Sequence, residues 1–270
     1  MIDLHTHTNH SDGTATPSQL IRAAEEAGLK VIAITDHDTL SGWDEAVRTP
    51  HQLELIQGIE LTTRYGPKTV HLLGYFLDGD AGPTFRNWLD QIHAHRLERN
   101  WRLVERLQQL GIEISWEEVE SLGGRMAGRP HFARLLVKKG YASSPEQAFE
   151  RYLGEDGLAF VHRQAPSLEE GIRRIRQAGG IPSLAHPARL NLADEETFLR
   201  MMKSAGLVAV EALHSDHDDS TARRYAALAR RLDLVITGGS DYHGATKPSV
   251  TLGNPSLDMR SLEALRNLKL

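Results

Sequence analysis

Short apolar runs that stop on a histidine or a carboxylate recur along this chain, with helical stretches between them. The first run opens it. In Ile2-Asp3-Leu4-His5-Thr6-His7, apolar and polar residues alternate with the period of a strand. Residues two apart on a strand face the same way, so His5 and His7 project side by side, with Asp12 just beyond. Residues 31–35 form an almost wholly apolar run, as in a strand buried on both faces, ending in Asp36-His37-Asp38. Residues 53–59 end at Glu60, and 70–76 carry His71 near the beginning or middle. Further on, 181–185 lead into His186, 207–210 into Glu211, and 234–237 through Gly238-Gly239-Ser240 into Asp241 and His243. An isolated His-x-His reads best as a half-exposed strand; here five later runs each end on another histidine or carboxylate, and a sixth carries His71 within it.

The stretches between are helical. Thr16 suits an N-cap, Pro17 the first helical position, and Gln19 completes a capping box. Ser167 and Glu170 form a second box, and helices are expected near 168–178, 194–205 and 220–232. Alternating strands and helices predict an α/β fold, a parallel sheet with right-handed crossovers. An open doubly wound sheet gathers its functional residues at one switch point, whereas six or seven contributing strand ends predict a closed (β/α) barrel. Residues 83–164 break the pattern with little strand signal. Phe85, Trp88, Leu89, Ile92, Leu97, Trp101, Val104 and Leu107 keep near-helical spacing, and helix starts follow at Ser115 and Ser144. The expected organisation is a barrel of residues 1–82 and 165–270, with 83–164 as a helical insertion over its mouth.

The chain has no cysteine, which excludes disulfides, thiolate metal sites and a cysteine nucleophile; any metal is held by imidazole and carboxylate. A formal charge of −5 argues against coating long nucleic-acid duplexes, yet leaves room for a small anionic substrate held by local cations. No basic leader and no long apolar run is present, so a cytoplasmic enzyme is expected, with no membrane and no obligate protein partner indicated.

The pool of candidate ligands is His5, His7, Asp12, His37, Glu60, His71, His186, Asp241 and His243, too many for one ion and enough for two or three. Imidazole with hard oxygen suits Mn, Fe or Zn better than Ca. A carboxylate bridging two such ions is an arrangement that activates water and steadies a phosphoryl centre. Since six of the nine are histidines, which must be neutral to bind, affinity is expected to fall as pH drops through about 6.5.

The ordered series DLHTHTNHSDG, ITDHD, GIE, a strand with His71, AHP and GSDYH resembles the polymerase-and-histidinol-phosphatase (PHP) family of metal-dependent phosphoesterases. The resemblance covers both flanks of the insertion and implies a distorted seven-stranded (β/α) barrel with a trinuclear centre, Mn being the first choice of metal. It implies one ion on His5, His7, Glu60 and Asp241, a second on Glu60, His71 and His186, and a third on Asp12, His37 and His243. Within the insertion, Ala127-Gly128-Arg129-Pro130-His131 resembles a branch that converts nucleoside 3′,5′-bisphosphates to 5′-monophosphates and trims short RNA from its 5′ end. Pro130 suits a first helical turn, where free N–H groups favour an anion, and Arg129 there could grip a non-reacting phosphate bidentately or else cap its own subdomain.

Other assignments follow from position. Asp36 is a catalytic-site residue read as orienting its neighbours rather than as the proton donor. His10 and His214 are candidate substrate contacts, each with a solvent-facing alternative, and Glu211 stands at a strand end without a place in the ligand scheme. His93, His95 and the pairs Arg173-Arg174 and Arg230-Arg231 read as solvated helix faces. The rival functions are a histidinol-phosphate phosphatase, whose branch carries His where Asp12 stands and lacks the GRPH segment, and a non-catalytic metal-binding or polymerase-associated module, against which the full ligand set argues.

Overall fold

The computed structural model of the chain describes residues 1–268. A single sheet takes its seven strands in sequence order. They are β1 (Ile2–Asp3), β2 (Val31–Ile34), β3 (Glu54–Tyr65), β4 (Lys68–Phe76), β5 (Ile181–Leu184), β6 (Ala209–His214) and β7 (Val235–Gly239). Helices α1 (Pro17–Glu26) and α2 (Ser41–Ala46) join the first three strands. After β4 come α3 (Gly82–Gln109), α4 (Trp116–Gly123), α5 (Arg129–Lys138) and α6 (Pro145–Ala148). Helices α7 (Leu168–Gln177), α8 (Glu195–Ser204), α9 (Asp219–Arg231) and α10 (Met259–Arg266) complete the chain. The sheet closes on itself: Asp241 N–H donates to His5 O at 2.8 Å and His7 N–H to Tyr242 O at 2.9 Å. Gly239 permits that approach, since a Cβ there would lie 2.4 Å from His5 N.

The expectation of an all-parallel sheet is corrected at β4, which runs antiparallel to both β3 and β5. The cause is local. Gly66-Pro67 joins Tyr65 to Lys68 as a two-residue hairpin with Gly66 at φ 57°, leaving no chain for a crossover helix. Reversal explains why His71 lies early in its strand while the other candidates lie late in theirs. It pairs with Thr62 beyond Glu60, and Ala185 N–H donates to its carbonyl, so His71 arrives beside His186. β3 and β6 also run past Glu60 and Glu211, residues expected at their ends.

Apolar burial is arranged in layers. Leu4, Ala33, Leu73, Tyr75 and Ala209 belong to a cluster formed mainly by the sheet, while Ile59, Leu61 and Leu72 pack against Ile172 of α7 and Phe198 of α8. A separate cluster joins Leu103 and Leu107 of α3, Val119 of α4, Phe132 and Leu136 of α5, and Leu153. The anticipated caps form: Thr16 and Ser115 each make both bonds of a capping box, and Ser144 caps α6. Among the described residues, no helix is long and apolar enough to cross a membrane.

Candidate metal centre

Glu60 is the hub. β3 carries it alongside the end of β2, where Glu60 N–H donates to Asp36 O and its carbonyl accepts from Asp38 N–H. Its Oε2 lies 3.2 Å from His5 Nε2, 3.1 Å from His7 Nε2 and 3.2 Å from His37 Nδ1. Its Oε1 lies 2.8 Å from His71 Nδ1 and 2.9 Å from His186 Nε2. One buried carboxylate thus faces imidazoles on both oxygens, the arrangement a bridging ligand needs.

The other candidates converge on the same space. His5, His7, Glu60 and Asp241 bring ligand atoms within 4.8 Å of one another, as do His7, Asp12, His37 and His243, and also His37, Glu60 and His71. His186 Nε2 lies 3.3 Å from His71 Nδ1. All nine sequence candidates are therefore gathered at one end of the barrel. Their donor atoms fit divalent ions on a structural criterion: His5 Nε2, His7 Nε2, His37 Nδ1 and Asp12 Oδ1 are buried without a hydrogen-bond partner. Buried polar atoms are ordinarily satisfied, so aligned orphans of ligand type indicate a place for cations.

Neighbouring groups hold these ligands in their binding tautomers. Glu211 accepts from His5 Nδ1 at 2.8 Å with one oxygen and from His186 N–H at 2.7 Å with the other. This turns the Nε2 lone pair of His5 towards the cluster. Glu211, without a role in the sequence reading, is thus an orienting residue. His243 Nδ1 donates to Asp241 O at 2.8 Å, which likewise frees its Nε2 towards Asp12.

Two substrate-contact assignments, His214 and His10, are corrected, and Asp36 keeps its orienting role. His214 is 2% exposed rather than at the mouth. Its Nδ1 accepts from Asp216 N–H at 2.9 Å, so Nε2 carries the proton and donates to Asp241 Oδ2 at 3.3 Å. It orients a candidate ligand and lies outside the cavity lining. His10 turns outward to Glu45 at 2.9 Å and also lies outside that lining. Asp36 accepts from Thr8 N–H, Thr8 Oγ1 and Ser11 Oγ at 2.8, 2.6 and 2.5 Å. It pins the loop that carries Asp12, which is its orienting role, but it does not face the cavity.

The cluster is electrostatically divided. Burial disfavours charge on His7, but Asp241 and Glu60 outweigh burial and hold its pKa up at about 9. His5 is raised likewise, burial being overcome by Glu211, Glu60 and Asp241. Burial keeps His186 at about 4 and His37 at about 3, both already neutral and ready to bind. Cation binding must therefore displace protons from His5 and His7 while costing none at His37 and His186. Below pH 9 displacement of the His7 proton opposes binding, and the raised pKa of His5 acts in the same direction, so affinity should climb from pH 6 towards pH 9, a window shifted above the 6.5 of free imidazole. Calorimetric titration of chelator-treated protein with Mn²⁺ at pH 7.5, in buffers of unlike ionisation enthalpy, should report about one to two protons released. Affinity flat over that pH range with no proton release would contradict this account.

Six of the nine candidate ligands, Asp12, His37, Glu60, His71, Asp241 and His243, line a cavity of about 480 Å³, and His5, His7 and His186 are outside its lining. Arg96 and Arg99 of α3, Arg129 and Arg134 of α5, and Arg163 line the same cavity. Arg129 donates to Leu153 O at 3.2 Å and stands over Phe149 and Phe160, with ring centroids at 5.9 and 6.0 Å. Asp38, at φ 54°, accepts from Arg96, from Arg163 at 2.9 Å and from Thr62 N–H at 2.7 Å. Beside the candidate ligands, Lys247 and Arg189 donate to Asp241 Oδ2 at 2.6 and 3.2 Å. Sequence reasoning missed Asp38, Arg96, Arg99, Arg163, Arg189 and Lys247.

Comparison with known proteins places this geometry. A family model described as "PHP domain" matches residues 3–163. The "5'-3' exoribonuclease" of Haemophilus influenzae is 32% identical, over 89% of this chain and 89% of that protein. The "3',5'-nucleoside bisphosphate phosphatase" of Chromobacterium violaceum is 31% identical, over 90% and 87%. The "phosphoribosyl 1,2-cyclic phosphate 1,2-diphosphodiesterase" of Eggerthella lenta is 32% identical, over 90% and 94%. The crystal structure of a putative metal-dependent phosphoesterase from Bifidobacterium adolescentis superposes with a TM-score of 0.88 at 34% identity, covering 100% of this chain and 97% of that one.

Proposed function

The chain belongs to the PHP-domain family of metal-dependent phosphoesterases, and on that premise we propose that it removes the 3′-phosphate from nucleoside 3′,5′-bisphosphates, leaving the 5′-monophosphate and phosphate. The observation that carries this reading is the cavity itself. Six of the candidate ligands, Asp12, His37, Glu60, His71, Asp241 and His243, share its lining with a set of arginines, so two phosphates of one small molecule can be held at once. His5, His7, Glu60 and Asp241 would hold one ion, Glu60, His71 and His186 a second, and Asp12, His37 and His243 a third. Such ions, Mn being the first choice, supply water activation and charge neutralisation at phosphorus when bound.

The chain's own residues then have distinct tasks. Glu60 holds the two sides of the cluster in fixed relation, while Glu211 and His214 fix the aim of His5 and Asp241. Lys247 and Arg189 place positive charge beside Asp241, where charge on the reacting phosphate must be balanced. Arg129 grips the phosphate that does not react, and Phe149 and Phe160 offer an apolar wall for the nucleoside. Trimming of 5′-phosphorylated RNA would use the same parts, with the following phosphodiester in place of the second phosphate.

A substrate panel on Mn-loaded protein tests the proposal. It should contain a 3′,5′-bisphosphate nucleotide, a 5′-phosphorylated RNA trimer, a ribose 1,2-cyclic phosphate, histidinol phosphate and p-nitrophenyl phosphate. The bisphosphate should give the highest kcat/KM, by at least about tenfold over p-nitrophenyl phosphate, since a second charged contact is worth ~1.5–3 kcal/mol. A cyclic phosphate or histidinol phosphate ranking first would replace this reading.

A further inference from the structure

The arginine wall carries more positive charge than the fold itself uses. Arg96 and Arg163 share the single carboxylate of Asp38. Arg99, on the same face of α3, is only 7% exposed and has no carboxylate partner among the described residues, and its Nε is buried without an acceptor. The Nε atoms of Arg96 and Arg163 are orphaned in the same way. Burial, with repulsion from Arg96, Arg129 and Arg163, pushes the proton affinity of Arg99 well below its ordinary value. Arg163 falls to about 10, burial outweighing the pull of Asp38. Three guanidinium groups, those of Arg96, Arg99 and Arg163, thus share one paired carboxylate, Asp38. A buried charge without a partner is among the most costly arrangements a fold can retain, and a ligand that completes it is the physical reason to retain it.

We infer that Arg99, flanked by Arg96 and Arg163 on Asp38, forms an anion subsite for a terminal phosphate, the dianionic end of the substrate that is not hydrolysed. The inference rests on the proposed bisphosphate reading only for what links this anion to the reacting one. Charge favours a terminal monoester over an internal diester: a dianion balances the excess better than a monoanion, and Arg96 and Arg99 are buried, 6% and 7% exposed. The subsite would therefore favour small bisphosphates over RNA, where the second phosphate is a diester.

Anion binding by chelator-treated protein tests this apart from catalysis. Methyl phosphate, a terminal monoester, should raise the melting temperature in a saturable way, and dimethyl phosphate should bind at least about tenfold more weakly. Arg99→Met should melt at the same or a higher temperature than the parent without anion, because it removes an unpaired buried charge, and should lose at least about tenfold in methyl phosphate affinity. If Arg99→Met does not fold, Arg163→Gln, which keeps a polar contact for Asp38, should show the same loss. A parent protein that ignores methyl phosphate overturns the inference, as does an undiminished response in the variant. Equal affinity for both esters overturns the preference for a terminal phosphate. Metal-dependent hydrolysis of p-nitrophenyl phosphate by the loaded parent is scored separately, so a failed subsite and a failed phosphatase reading give different results.

Discussion

Glu60→Gln should leave a folded barrel that holds fewer ions and hydrolyses phosphate esters about a thousandfold more slowly or worse, which is ~4 kcal/mol or more in activation free energy. The size follows from geometry. His5, His7 and His37 face one oxygen of this carboxylate, and His71 and His186 face the other. An amide has one oxygen and one NH2 group, so it turns a donor towards one side of the cluster and removes the charge that draws cations to both. The carboxylate itself is held far below its usual pKa by the imidazoles against the effect of burial, so it is anionic whenever the enzyme works. The fold should survive, because β3 is secured along its length by pairing with β4 and the amide has nearly the shape of the carboxylate it replaces. Metal content by mass spectrometry, far-UV circular dichroism and turnover together decide the matter. Full activity in Glu60→Gln, or in exhaustively chelated parent protein, would falsify the metal-centred mechanism.

What could be read from the chain without its structure divides along physical lines. The barrel was legible because a strand buried on both faces writes itself as a short apolar run, and a ligand at its end is a polar residue where the run stops. His5, His37, His186 and Asp241 all carry that signature. The reversed β4 was half legible. His71 stood early in its run, which is the mark of an antiparallel strand reaching the same rim, and Gly66-Pro67 left only two residues for the turn.

The arginine wall was not legible, for an instructive reason. The inward stripe of α3 runs through Phe85, Trp88, Leu89, Ile92, Leu103, Val104 and Leu107, and between Ile92 and Leu103 it is filled by Arg96, Arg99 and Asn100. Counting apolar residues alone bridges that gap with Leu97 and Trp101, whereas Trp101 is 49% exposed and stacks on Trp116. A charged residue on an otherwise apolar stripe is the available signal, and it marks function more often than error. Glu211 and His214 were hidden differently. Both lie within β6, and only the tertiary structure shows that one aims His5 and the other Asp241.

Arg129→Ala should separate substrate choice from chemistry. The guanidinium reaches the cavity from α5, while the metal cluster is built from barrel residues. If Arg129 grips the second phosphate, it acts only on substrates that have one. A charge-assisted bidentate contact is worth ~1.5–3 kcal/mol, so kcat/KM for a 3′,5′-bisphosphate should fall by about ten- to a hundredfold. Hydrolysis of p-nitrophenyl phosphate, which offers a single phosphate, should suffer far less, and metal content should not change. Arg129 also has a second attachment, since it donates to Leu153 O and stands over Phe149 and Phe160. Truncation could thus loosen the segment that packs on α5, and a melting curve measures that contribution directly. Arg129→Lys refines the test. It keeps the charge but loses the planar fork, so it should recover part of the bisphosphate activity if phosphate is the partner. Equal losses on both substrates, with a lowered melting temperature, would mean that Arg129 holds the insertion together. The second phosphate would then depend on Arg99 and its neighbours alone.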